Sequence, residues 1–302
     1  MPKFNYNIIG AGSVGHLWAA FLLKNGNSVS LYSQRALNTQ KLRLVSPLLD
    51  SSQPFEFEIS YQTFDSWQAC DLCLVCQKTH QLGKVAQTLA SLKTPPRTII
   101  LMMNGMGLVE VLQRSLPQSR IFHAYLTHGV YRSNNQIIHA GVGDTLIGNM
   151  NSHYSPSEFK HFIDELNSSL PKVAWSNEHK LQMNLKLIIN AVINPLTALS
   201  GQPNGCLLDS ASIQSQARSL LKEFEPVTKF LLPELPLQDV SEAVFAVAES
   251  TRNNKSSMLQ DVERKNQTEI DSINGYLSSV AESIGVTLPQ NNDLVNKIKS
   301  LY

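Results

Sequence analysis

Six residues near the amino terminus, Gly10-Ala-Gly12-Ser13-Val14-Gly15, constrain the fold more than any other stretch of the chain. Their G-x-G-x-x-G spacing follows a short apolar strand at residues 6–9 and runs into a helical pattern at 16–25 that Gly26 closes. In that context each glycine has a physical task. Gly10 permits a tight turn, Gly12 lets a pyrophosphate approach the backbone, and Gly15 lets the helix pack closely on the strand. The helix start, from Ser13 and Val14 onward, offers unpaired N–H groups and the positive end of the helix dipole to an anion. The competing reading is an ordinary glycine-rich turn.

Apolar runs and helical patterns alternate through the first half. Residues 28–32, 71–76 and 98–103 read as strands, each followed by a helical or polar segment, and 121–125, 136–140 and 145–147 as later strands among glycine-containing turns. This is the βαβ signature of a parallel sheet covered on both faces. After Trp175 the pattern turns helical, most clearly at 181–199, 212–231, 240–253 and 270–284. The expected fold class is α/β: a Rossmann-type doubly wound domain over residues 1–170, then an all-helical domain over 171–302.

The second strand bears on which dinucleotide the turn holds. An NAD site places Asp or Glu there for the ribose 2′-hydroxyl. This chain has no acidic residue before Asp50, and Ser33, Gln34 and Arg35 follow Tyr32. Serine and amide groups donate to a 2′-phosphate and Arg35 can pair with it bidentately, which favours NADP; a solvated loop arginine is the alternative.

Charge excludes other partners. Lys+Arg 25 against Asp+Glu 24 leaves net charge +1, so no global field draws the protein to nucleic acid or to an anionic membrane. The first residues lack the pattern of a secretory signal, and the most apolar stretch, 185–199, is too short to span a bilayer and contains Lys186. A soluble cytoplasmic protein is expected. Cys70, Cys73 and Cys76 have a spacing seen in iron–sulfur and zinc sites, but they lie in a strand whose alternation sends Cys73 opposite to the other two. They read as core thiols, and no metal is expected. His128 and His139, among the late strands, read as structural.

The most informative helix carries Lys186, Asn190 and Asn194 at i, i+4 and i+8, with Thr197 near the same stripe and almost only Leu, Ile, Val and Ala elsewhere. A surface helix would show a broad polar face. A lysine in this setting is partly desolvated, which lowers its pKa towards the range useful for proton transfer. A snorkelling surface lysine with two structural asparagines is the alternative. Pro195 is expected to kink the end of the stripe. Further on, 253–261 reads as helix, and Thr268-Glu269-Ile-Asp271 as a helix start with Thr268 as N-cap and Asp271 completing a capping box. Glu269 in that first turn is either an ionised acceptor suited to gripping a hydroxyl or a surface charge favoured by the dipole.

With these residues in view, the chain resembles the ketopantoate reductases (2-dehydropantoate 2-reductases) over nearly its whole length. The likeness is carried by Cys76-Gln-Lys78, Met103-Asn104-Gly105-Met-Gly107, Lys186 through Asn190 to Asn194-Pro195-Leu-Thr-Ala198, and Pro203-Asn-Gly205. Ser256-Ser257-Met-Leu-Gln-Asp261 and Thr268-Glu269-Ile-Asp271 with Ile273-Asn-Gly275 complete it. The resemblance implies NADPH-dependent reduction of ketopantoate to pantoate, in coenzyme A synthesis, in a cleft between two domains. It implies Lys186 as the catalytic lysine and general acid, and Glu269 as the carboxylate for the substrate hydroxyl. Asn104, Asn190, Asn194, Ser257 and Asn254 become substrate contacts, and Lys78 and Asn104 also positions near the nicotinamide and closing cleft. One departure is visible: close relatives carry Arg directly after the second strand, where this chain has Gln34 and then Arg35. A one-residue loop shift restores that contact; otherwise the preference for NADP over NAD weakens. Two rivals stand beside this reading: reduction of another 2-keto acid or an imine on the same scaffold, and a non-enzymatic NADP-sensing protein. Either a monomer or a homodimer is compatible with the sequence.

Overall fold

A computed structural model describes residues 4–33, 38–50, 53–150 and 156–302. The chain divides into two compact units, one made of Met1–Met103 and Leu108–Lys180, the other of Asn104–Gly107 and Leu181–Tyr302. The junction expected near residue 170 falls inside the first unit. There Val173–Trp175 still pairs in parallel with Thr145, Leu146 and Ile147.

The first unit contains β1 (Asn5–Ile9), α1 (Ser13–Lys24), β2 (Ser28–Tyr32), β3 (Gln40–Val45), β4 (Phe55–Ile59), β5 (Tyr61–Gln62), β6 (Leu72–Val75), α2 (Leu82–Ala90), β7 (Thr98–Leu101), α3 (Leu108–Ser115), β8 (Arg120–Leu126), β9 (Gly129–Ser133), β10 (Gln136–Gly141), β11 (Thr145–Gly148), α4 (Pro156–Ser169) and β12 (Val173–Trp175). Eight strands form a sheet in the order β12-β11-β8-β7-β6-β1-β2-β5, parallel except where β8 meets β11. From β1 the chain goes to β2 on one side and later to β6 on the other. The C-terminal end of β1 is therefore a topological switch point, where open α/β sheets bind ligands, and Gly10 follows it directly.

A second sheet, β4-β3-β10-β9, was not among the expected elements as a group. Its strands β3 and β4 alternate strictly, burying Leu42, Leu44, Phe57 and Ile59 and exposing Lys41, Arg43, Glu56 and Glu58. α1 packs both on β1 and β2 and on β4, β9 and β10. That double cover explains why Gly15 through Leu22 are all buried and why the helix has no broad polar face.

Cys73 and Cys76 pack into different core clusters, as alternation requires. Cys70 does not follow the expected pattern: it precedes β6 and packs against the cluster that contains Cys73. Burial pushes the thiols of all three upward, away from the thiolate that metal binding needs. His128 and His139 join a hydrogen-bonded chain. The Gly143 N–H donates to His128 Nδ1 (3.2 Å), which makes that nitrogen an acceptor for His139 Nε2–H (3.1 Å), while Ser46 Oγ meets His139 Nδ1 at 2.8 Å.

The second unit is helical. Its elements are α5 (His179–Ser200, whose first residues belong to unit one), α6 (Cys206–Asp209), α7 (Ala211–Glu223), α8 (Glu225–Leu231), α9 (Leu237–Ser250), α10 (Ser257–Glu263), α11 (Tyr276–Ser283) and α12 (Pro289–Lys299). The expected 212–231 helix divides at Phe224, because Pro226 can stand in the first turn of a new helix but not inside one. The expected helix at 253–261 begins only at Ser257, where the Ser256 hydroxyl caps it by accepting from Leu259 N (3.1 Å). Among the described residues no helix is long and apolar enough to cross a membrane.

Pro195 sits inside α5 and cannot donate to the carbonyl of Ala191. Asn274 Nδ2, from the segment before α11, donates to that carbonyl instead (2.9 Å) and to Asn291 Oδ1 (2.8 Å). Asn291 returns a bond to the Asn274 carbonyl (2.9 Å), and its backbone N–H donates to Glu223 Oε1 (2.8 Å). The Asn-Pro of α5 and the Ile273-Asn-Gly275 segment are thus two halves of one buried network. Asn274→Ala strands the Ala191 carbonyl and an Asn291 amide, and is expected to cost about 1–3 kcal/mol of stability. Urea unfolding measures it; a loss below about 0.5 kcal/mol, the range of ordinary surface substitutions, would contradict the network's role.

Candidate active site

Two constellations are built from the residues singled out in the sequence. The first is the glycine turn of unit one. Gly10 has φ +115°, and its N–H reaches the Tyr32 carbonyl (3.0 Å). A Cβ there would fall 2.8 Å from backbone atoms of Cys76, so only glycine fits. A Cβ on Gly15 would fall 2.1 Å from the Gly10 carbonyl oxygen, which is the close helix–strand approach that the spacing implied. Gly12 differs. It is exposed and extended, and an added Cβ would meet nothing nearer than the Cys76 carbonyl at 3.9 Å. Its α-carbon faces open space at the start of α1, between the half-buried Ser13 and the turn.

This end of α1 fits a dinucleotide phosphate on three grounds. The space in front of Gly12 is clear, the first turn of α1 has no acidic residue to repel an anion, and the helix N-terminus attracts one. Beside the turn, Gln77 buries its Oε1 without a hydrogen-bond partner among the described residues. A ligand hydroxyl would satisfy that acceptor. Lys78 is half-buried directly after it, where the chain leaves β6. Gln34 and Arg35 lie outside the described residues.

The second constellation lies wholly in unit two. Asn104, Gly105 and Met106 line a small pocket with Met183, Lys186, Leu187, Asn190 and Ile273. Its free volume is about 10 Å³, room for a single water-sized atom such as a carbonyl oxygen. Lys186 is half-buried, and burial of its ammonium pulls the pKa down to about 8, with the negative charge of Glu269 holding it from falling further. Glu269 is itself buried, which removes the surface-charge alternative.

The helix start that carries Glu269 departs from the expected capping box. Thr268 Oγ1 does accept from Ile270 N (3.3 Å), but the Asp271 carboxylate pairs with Lys299 (2.6 Å). Residues Asp271–Gly275 then form one π turn before α11, a widened turn often found at functional sites. The Ser272 carbonyl accepts from Met106 N (3.2 Å), and a Cβ on Gly105 (φ +92°) would fall 2.8 Å from Ser272 Oγ. Asn104 is therefore held against the turn next to Glu269. The resemblance set Asn104 among the substrate contacts as well as near the nicotinamide; here it lines the pocket with Lys186.

Two family models match the chain: one described as ketopantoate reductase PanE/ApbA over residues 6–152, and its C-terminal counterpart over 178–301. A 2-dehydropantoate 2-reductase from Vibrio cholerae is 33% identical over 98% of this chain and 97% of its own. The chain belongs to the ketopantoate reductase family. It is an oxidoreductase, as members of that family are. The crystal structure of a probable 2-dehydropantoate 2-reductase from Bacillus subtilis superposes with a TM-score of 0.80 at 28% identity, over 99% of this chain and 100% of that one. A D-mandelate dehydrogenase solved with NADH and anilino(oxo)acetate shares the fold, with a TM-score of 0.85 at 21% identity over 98% and 97%.

The residues expected of a ketopantoate reductase are distributed unevenly. Lys186, Asn190 and Asn104 line one pocket, and Glu269 acts electrostatically on Lys186. Asn194 continues the stripe one turn on and is buried, without lining the pocket. The stripe ends at Thr197, whose hydroxyl meets Ser256 Oγ at 2.7 Å. Ser256 is thus the structural member of the serine pair, and Ser257 beside it is exposed. Asn254 is exposed as well, on a turn whose backbone is held by Asn204 N (3.0 Å to the Asn254 carbonyl) and Gly205 N (3.0 Å to Arg252). The Pro203-Asn-Gly205 motif therefore carries that turn. Met183 and Leu187 were missed as pocket residues. Helical spacing could have found them, since 183, 186, 187 and 190 share one face.

Proposed function

We propose that the protein reduces 2-dehydropantoate to pantoate with NADPH, a step of pantothenate and coenzyme A synthesis. One observation carries the reading: a desolvated Lys186 lines a cavity of about 10 Å³ together with Asn104 and Asn190, with a buried carboxylate acting on the lysine. The name of the Vibrio cholerae relative supports the substrate. The absence of an acidic residue before Asp50, with Ser33 and Arg35 after β2, supports NADPH over NADH.

NADPH, when bound, supplies the hydride for the keto carbon; the turn from Gly10 to Gly15, with Lys78, would hold it. The chain's own residues manage the oxygen. Lys186 keeps a proton on Nζ and gives it to the keto oxygen as negative charge develops there. Asn104 and Asn190 fix that oxygen in the notch. Glu269 has two tasks: its charge keeps the ammonium protonated, and its oxygens accept from the terminal hydroxyl of the substrate. Ser257, Asn194 and Asn254 would bind the substrate carboxylate.

The hydroxyl contact separates ketopantoate from other 2-keto acids. Glu269→Ala is expected to lower kcat/KM for ketopantoate by about 100-fold or more, the cost of losing a charged hydrogen-bond partner in a closed site. For 2-keto acids that lack the hydroxyl, the loss should be smaller, limited to the effect on Lys186. Steady-state kinetics with both substrates checks this. Equal losses would remove the assigned contact and favour reduction of a different keto acid.

A further inference from the structure

A chain of hydrogen bonds runs from the glycine turn into the second sheet. His16, fully buried, places Nδ1 2.8 Å from the Gly12 carbonyl oxygen, which also accepts the His16 backbone N–H (3.0 Å). A carbonyl only accepts, so Nδ1 carries the proton. Burial keeps the ring neutral, with its pKa lowered to about 4, and so Nε2 is an acceptor. Its partner is the hydroxyl of Tyr61, at 2.8 Å.

Tyr61 has one proton and two places to send it: His16 Nε2, or Gln40 Oε1 at 3.0 Å. Gln40 Oε1 already accepts from the Arg132 guanidinium (2.8 Å). Every group is satisfied only if Tyr61 donates to His16. The protons then point one way, from Tyr61 through His16 to the Gly12 carbonyl. That carbonyl belongs to the same peptide as the Ser13 N–H, which opens the helix end. Drawing electron density towards the carbonyl makes the N–H a stronger donor, because hydrogen bonds in a chain polarise one another.

We propose that His16 and Tyr61 are positioning residues for the dinucleotide pyrophosphate, polarising the Gly12–Ser13 peptide so that the Ser13 N–H grips the anion. The inference rests on the reading that a nicotinamide dinucleotide binds at this turn. It assigns the effect to the pyrophosphate, which NADPH and NADH share, and not to the 2′-phosphate.

Tyr61→Phe keeps the ring packing and removes the relay; His16→Asn removes the carbonyl contact. Fluorescence titration with NADPH, NADH and adenosine 2′-phosphate reads the result. Both variants should raise Kd for NADPH and NADH together, about three- to tenfold, the effect of one net hydrogen bond. Adenosine 2′-phosphate, which lacks the pyrophosphate, should bind as before, and kcat at saturating NADPH should hold while KM for NADPH rises. An unchanged NADPH Kd in both variants overturns the proposal, and so does parallel weakening of adenosine 2′-phosphate, which marks a merely structural relay. If the unsubstituted protein binds neither dinucleotide, both this inference and the proposed function fail. If it binds NADPH but reduces no keto acid, only the proposed function fails.

Discussion

Lys186→Ala is expected to lower kcat by about 100- to 10,000-fold, the usual contribution of a positioned general acid, while NADPH binds with unchanged affinity. The reason is local. The lysine lies on the apolar helix α5, beside Asn190 and Asn104 around a notch that admits one atom. Among the described residues no other cation lines that pocket. Its pKa of about 8 sets the pH dependence. A general acid must be protonated, so kcat/KM for the keto acid should be flat below that value and fall as pH rises through it. Glu269 raises the lysine's pKa against the effect of burial, so Glu269→Gln should move the alkaline limb to lower pH. Residual turnover of Lys186→Ala within tenfold of normal would remove the lysine from the chemistry. An alkaline limb that stays in place in Glu269→Gln would separate the two groups.

The second large effect concerns the turn. In Gly15→Ala the new methyl would sit 2.1 Å from the Gly10 carbonyl oxygen, far inside contact distance, so α1 must withdraw from β1. Overpacking of this kind costs about 1–3 kcal/mol. Both the melting temperature and NADPH affinity should fall, the latter about 10- to 100-fold if the strain is felt mainly at the phosphate site. Gly12→Ala makes the contrasting case. Its methyl meets only an oxygen at 3.9 Å and its φ of −85° suits alanine, so the protein should fold normally. The methyl occupies the space in front of the helix end, so NADPH should bind weakly all the same. Thermal unfolding beside fluorescence titration distinguishes the pair. Tight NADPH binding by Gly12→Ala would mean that the phosphates lie elsewhere.

The parts of the fold that were legible in the sequence are those written locally. The glycine turn needs only contiguous residues, and the helices of the second unit repeat an apolar period. The strands β3 and β4 are equally legible, since Gln40–Val45 and Phe55–Ile59 alternate cleanly. Other features depend on contacts between residues far apart in the chain. Nothing near Asn104 says that Met106 will bond to Ser272, and nothing near Pro195 says that Asn274 will supply its missing donor. Asp271 looked like a capping residue because the local rule cannot see Lys299. Lys186, by contrast, was legible because one charge in an apolar helix needs a reason.

The most direct test follows NADPH absorbance with the purified protein and ketopantoate, beside a panel of other 2-keto acids. We expect NADPH to be consumed one for one with pantoate formed, with the highest kcat/KM for ketopantoate and slower turnover with NADH. Tight NADPH binding with no consumption on any keto acid, or a clear preference for an acid lacking the terminal hydroxyl, would contradict it.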